Sequence, residues 1–196
     1  MIKENIIEAV SSYVILFLSE NLSENLSFHS IGHTYDVVGA TREIGAQSNL
    51  SEKEMLVLQV AAWFHDCGYA NVYIGHEEES KKIAKNFLEN FGCEKEFIET
   101  VLNCIDSTKY PPKPSSLIEK VLCDADLYHL TRPNYPKYEK ALRQEFEKYC
   151  GLIYTNEEWQ AKNCSFFKDH EYYTDYGQKI LTKFKEVNFQ LINCSE

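Results

Sequence analysis

The chain has 196 residues, 44% hydrophobic and 26% charged, which suits one well-packed domain and excludes a disordered or low-complexity segment. Thirty acidic against twenty basic side chains give a net charge of −10. With no Lys/Arg cluster to offset it, that charge excludes duplex nucleic acid as a partner, because such binding rests on neutralised phosphates.

Along the chain, residues 3–20 place Ile6, Ile7, Val10, Val14, Phe17 and Leu18 on one side of a helix. The apolar run within it, Tyr13 to Leu18, is too short to span a membrane, and Glu4 and Glu8 before it do not suit a secretory leader. Ser30 is a fair N-cap for a second helix reaching about Gln47. There His33, Val37, Ala40 and Ile44 recur at i, i+4, i+7 and i+11, so an imidazole is carried on the apolar face. Ser51 and Glu54 have capping-box spacing and open a third helix to about His65. Only Gln59 is polar between Met55 and Phe64, which predicts a buried central helix. The pair His65-Asp66 falls at its end, with Gly68 following as a terminator. Further helices are expected at 77–91, 94–107, 116–130, 136–150, 157–163 and 170–187, with breaks at 68–75, 111–114 and 131–136. Alternating segments and hairpin turns are absent. The expected fold is all-α, a single compact helical bundle over 1–196, with the part beyond about residue 135 as a helical extension.

Seven cysteines, odd in number and without a Cys-x-x-Cys pair, predict free and mostly buried thiols in a reducing cytoplasm. The C-terminal Tyr and Phe residues, among them Phe166 and Phe167, read as core, with a pocket wall or an oligomer contact as the alternative.

Three helices therefore carry polar groups inward. Asp126 continues the line of Ile118 and Leu122 at i, i+4, i+8. Asp124, at i+3 from Val121 and i+7 from Leu117, competes with it on periodicity. Burying an unpaired carboxylate is costly, and a cation is an effective remedy. His33, the His65-Asp66 pair and an aspartate of the later helix thus point to one shared metal ion, since imidazole and carboxylate suit divalent cations. His76 stands at an acidic helix start, where backbone N–H groups favour an anion; it reads as a phosphate contact, a partner for a second ion or a surface histidine. His29 lies one turn before His33 and reads as a support for the site or a solvated residue. Lys109 and Arg132 read as solvated charges, and His129 and His170 as structural.

The order His33, His65-Asp66, Asp126 resembles the HD-domain superfamily of metal-dependent phosphohydrolases. The resemblance is carried by Phe28-His29-Ser30-Ile31-Gly32-His33-Thr34, Ala61-Ala62-Trp63-Phe64-His65-Asp66-Cys67-Gly68-Tyr69, Gly75-His76-Glu77-Glu78-Glu79-Ser80 and Cys123-Asp124-Ala125-Asp126-Leu127, covering about 28–130. It implies a helical catalytic core and His33, His65, Asp66 and Asp126 as metal ligands, the last because the family's final ligand resembles the Asp of an Ala-Asp dipeptide. Asp124 would then orient a ligand histidine. Two-metal members carry a further histidine where this chain reads Ile105-Asp106-Ser107-Thr108, so one ion per chain is expected. Manganese, iron and magnesium head the candidate ions, and zinc and nickel also fit. The implied reaction is hydrolysis of a phosphomonoester, phosphodiester or nucleotide by metal-activated water, with Asp66 taking a proton and His76 steadying the phosphate. The alternatives are a catalytically silent metal- or nucleotide-binding sensor and, further off, a di-iron oxygenase.

Overall fold

The computed structural model describes residues 6–194, so residues 3–5 of the first expected helix lie outside the described residues. Within them are nine α-helices and no strand: α1 (Ile6–Asn21), α2 (Ile31–Gln47), α3 (Glu52–Phe64), α4 (His76–Phe91), α5 (Lys95–Ser107), α6 (Leu117–Asp126), α7 (Tyr135–Cys150), α8 (Asn156–Asp169) and α9 (Thr182–Leu191). The fold is a compact, all-helical domain.

Helix α3 is the axis of the core. It packs against α1, α2, α5 and α6, and its residues Val57, Leu58 and Val60 to Phe64 are buried. Its start is set locally: the Ser51 side chain accepts from the Glu54 backbone while the Glu54 side chain reaches back, a device worth about 1 kcal/mol. The same box recurs at Ser116 with Glu119 and at Thr155 with Glu158. A second, smaller apolar cluster of Leu130, Tyr135, Phe167 and Ile192 holds the C-terminal helices together. No helix among the described residues is long and apolar enough to cross a membrane.

Four sequence expectations need correction. The helix expected over 116–130 stops at Asp126 and tightens into a 3-10 turn, Leu127–Thr131. Helix α8 runs well past Asn163, from its Thr155 cap to Asp169. The helix expected from His170 begins only at Asp175, and a π turn at Gly177–Leu181 leads into α9. The cause is Asp124, which takes the backbone N–H groups of Tyr173 and Thr174 at 2.7 and 2.9 Å, holding that stretch out of the helix. Finally, Cys164 and Cys194 form a disulfide between α8 and the chain beyond α9, whereas Cys67, Cys104 and Cys123 are buried free thiols. An odd cysteine count reveals no pair that only the C-terminal return of the chain brings together.

Candidate metal centre

The end of each of α3 and α6 and the first turn of α2 meet at one point. His33 Nε2 lies 3.0 Å from Asp126 Oδ1 and 3.5 Å from Asp66 Oδ2. His65 Nε2 lies 3.3 Å from Asp66 Oδ2 and 3.6 Å from Asp126 Oδ1. His33, His65 and Asp66 each offer a ligand atom within 4.8 Å of the others, the only such group of three among the described residues. All four side chains named from the sequence are therefore brought together, on α2, the α3 end and the last residue of α6.

The chemistry of this group is unsatisfied. His65 Nδ1 lies 2.8 Å from the Ala62 carbonyl, which can only accept, so the proton sits on Nδ1 and Nε2 presents a lone pair. That lone pair faces carboxylate oxygens, and both His65 Nε2 and Asp66 Oδ2 are buried without a hydrogen-bond partner. Buried acceptors facing acceptors are unfavourable unless a positive charge lies between them. That holds for the neutral ring; without an ion the carboxylates draw a second proton to His65 Nε2, which marks the same demand for positive charge. Burial opposes charge on all three groups, yet the facing carboxylates hold His65 well above the usual imidazole range. The neighbouring imidazoles likewise hold Asp66 and Asp126 well below the usual carboxylate range. The residues present fit a divalent cation.

Asp124 takes no part in this. Fully buried, it accepts from Tyr173 N, Thr174 N and Thr174 Oγ1, and burial pushes its carboxyl up to about 6. The expected role for it, orienting a ligand histidine, is replaced by a structural one: it anchors the non-helical stretch before α9.

Beside the centre opens a cleft lined by Asp66, Glu77, Asp126, His29, Tyr69 and His76 together with Thr108, Tyr110 and Phe166. It contains three acidic side chains and neither Lys nor Arg. His76, the first residue of α4, puts Nε2 3.6 Å from Asp66 Oδ1, with its ring stacked on Tyr69 at 3.8 Å. Gly68 permits this closeness, and not by ending α3, as its position suggested. A Cβ there would come within 1.9 Å of the His76 carbonyl and 2.8 Å of Ser80 N, so the α4 start rests directly on the Gly68 backbone.

Of the remaining sequence candidates, His29 faces the cleft, just ahead of α2 and bound to Glu145 at 2.5 Å. Arg132 pairs with Asp36 at 3.5 Å, Lys109 is exposed, and neither lines the cleft. His129 packs against Phe28, with Nδ1 3.2 Å from the Asp126 carbonyl. His170 packs edge-on against Tyr172. Sequence reasoning missed Tyr69, Glu77 and Glu145. The last had a readable signal: Tyr138, Leu142, Glu145 and Tyr149 recur at i, i+4, i+7 and i+11, the pattern that marked His33.

Three comparisons with known proteins complete the picture. No curated protein matches the chain by sequence. Among solved structures, a crystal structure of a Lactobacillus plantarum structural-genomics target superposes with a TM-score of 0.72 over 98% of this chain and 96% of that one, at 15% identity, a likeness of fold. The HD domain family profile matches residues 30–131, just over half of the chain and the stretch that contains His33, His65, Asp66 and Asp126. This chain belongs to the HD domain family.

Proposed function

We propose that the protein is a metal-dependent phosphohydrolase acting on a small phosphorylated compound such as a nucleotide, with one divalent cation held by His33, His65, Asp66 and Asp126. The observation that carries this reading is the pair of buried lone pairs on His65 Nε2 and Asp66 Oδ2, beside a cleft lined by three acids and no Lys or Arg. Such a cleft repels a phosphate unless a cation reverses its sign. Manganese, iron or magnesium is the expected ion, with zinc and nickel also accommodated by the donors.

A bound divalent ion would lower the pKa of its water from 15.7 towards ~7 and offset phosphoryl charge. The chain's own residues divide the remaining work. Asp66 turns Oδ2 to the imidazoles and Oδ1 to the cleft and His76, so Oδ1 takes the proton from the attacking water. His76, whose Nδ1 lies 3.3 Å from the Tyr73 carbonyl, offers Nε2 to a phosphoryl oxygen or to the leaving group. The walls of Tyr69, Tyr110 and Phe166 exclude water from the organic part of the substrate.

The test is phosphate release from generic phosphoesters and nucleotides by protein loaded with manganese, iron or magnesium. His65→Ala and Asp66→Ala should each lower kcat by at least about 100-fold, as expected for loss of a metal ligand. Turnover undiminished by both substitutions would refute the assignment. Tight, metal-dependent nucleotide binding without turnover would replace it with a sensor.

A further inference from the structure

Glu145 lies on α7, beyond the family-matched stretch, and its side chain is completely buried. Its carboxylate is nevertheless well supplied with donors. Oε1 accepts from the backbone N–H of Phe28 at 2.6 Å and of His29 at 3.1 Å, tying down the chain that enters α2. Oε2 faces His29 Nδ1 at 2.5 Å and accepts from the Tyr73 hydroxyl at 3.3 Å. Opposite a carboxylate at that distance Nδ1 carries a proton, and the ring is turned so that Nε2 meets the Tyr69 hydroxyl at 3.1 Å. Tyr69 is itself sandwiched: its ring lies 4.0 Å from that of His29 at 23° and 3.8 Å from that of His76 at 17°. His76 in turn faces Asp66.

A continuous packed column therefore runs from α7 through His29, Tyr69 and His76 to the cleft carboxylate. We propose that Glu145 is a positioning residue for the reaction: it fixes the ring of His29, and through the His29–Tyr69–His76 stack it holds His76 at the angle that faces Asp66. The proposal rests on the phosphohydrolase reading of the cleft. It gives the C-terminal helices a task in catalysis, since α7 supplies the foundation on which the His76 ring stands. A carboxylate serving only to tie the backbone would need Oε1 alone.

The substitution that separates the two roles is Glu145→Gln, assayed in the full-length, metal-loaded protein. The amide oxygen keeps an acceptor for Phe28 N and His29 N, whereas its NH₂ cannot accept from His29 Nδ1. We expect kcat to fall about tenfold or more, with KM changed less than about twofold and metal content per chain unchanged. In a His29→Ala background the same change should add nothing, because Glu145 acts through His29. A kcat within about twofold of the unsubstituted protein, or an effect that adds fully to that of His29→Ala, overturns the proposal. A second measurement needs neither substitution nor turnover: imidazole ¹⁵N shifts should find His29 locked as the Nδ1–H form or doubly protonated. An Nε2–H or freely exchanging ring overturns the proposal even if the variant fails to fold. A locked ring in a protein without turnover counts against the phosphohydrolase reading instead and leaves the clamp standing.

Discussion

Asp66 sits at the boundary between a closed polar knot and an open cleft, and its two oxygens divide accordingly. Oδ2 lies among the imidazoles of His33 and His65, and Oδ1 looks out at His76. Two residues on α6, about half a turn apart, separate structure from chemistry. Asp126 points at His33 and His65, while Asp124 points at Tyr173 and Thr174. Asp124→Ala should strand three donors and lower stability by roughly 2–4 kcal/mol with metal content unchanged. Asp126→Ala should leave the fold intact and reduce metal affinity by more than the roughly 10- to 100-fold that loss of a ligand's supporting partner costs. Denaturant unfolding paired with metal titration of both variants checks this, and the reverse pattern would exchange their roles. His129 makes a separate prediction. An unfolded imidazole titrates near 6.5, but burial, reinforced by the nearby His33, pushes that of His129 down to about 3. Between those values the unfolded chain binds a proton that the folded one refuses. The contribution of His129 is thus complete above pH ~6.5 and is lost as pH falls, by just under about 3 kcal/mol at pH ~4.5. Unfolding of the metal-free protein at several pH values should give a shallower acid slope for His129→Gln; equal slopes would contradict it.

At the scale of elements, the approach of α4 to the end of α3 decides whether the cleft exists. The first carbonyl of α4 occupies the space a Gly68 side chain would fill. Gly68→Ala should push His76 away from Asp66, costing about 1–3 kcal/mol of stability and most of kcat. A fully active Gly68→Ala protein would mean that this contact does not place His76. Much of this was readable in the sequence. The cap at Ser51 and the 3.6-residue periodicity place α2 through α5 within a few residues, because these helices are set by local signals and a one-sided apolar face. The same face argument singled out His33 and Asp126, and left Asp124 in competition because both aspartates point inward. What escaped was non-local. The non-helical stretch before α9 exists because a buried carboxylate 49 residues earlier captures its backbone, and Gly68 is small for the sake of α4. Glu145 sits on the readable stripe of Tyr138, Leu142 and Tyr149, but its partners Phe28, His29 and Tyr73 lie far away in sequence.

Across the whole molecule, a family core and a C-terminal set of helices meet over the cleft. Helix α7 contributes Glu145 to the column behind His76, and α8 contributes Phe166 to the cleft wall. The disulfide Cys164–Cys194 closes this set across 30 residues. Its removal by Cys164→Ser should lower stability by about 2–4 kcal/mol while the metal centre, built on α2, α3 and α6, keeps its ion. Thermal unfolding with and without reductant reads this, and an unchanged midpoint would deny the bridge any structural role. The central claim is that two imidazoles and two carboxylates converge on a single cation. Anomalous scattering from a manganese-soaked crystal tests it most directly. One strong peak within bonding distance of His33, His65, Asp66 and Asp126 is the predicted result; a peak elsewhere, or none while His65 Nε2 and Asp66 Oδ2 remain face to face, would contradict it.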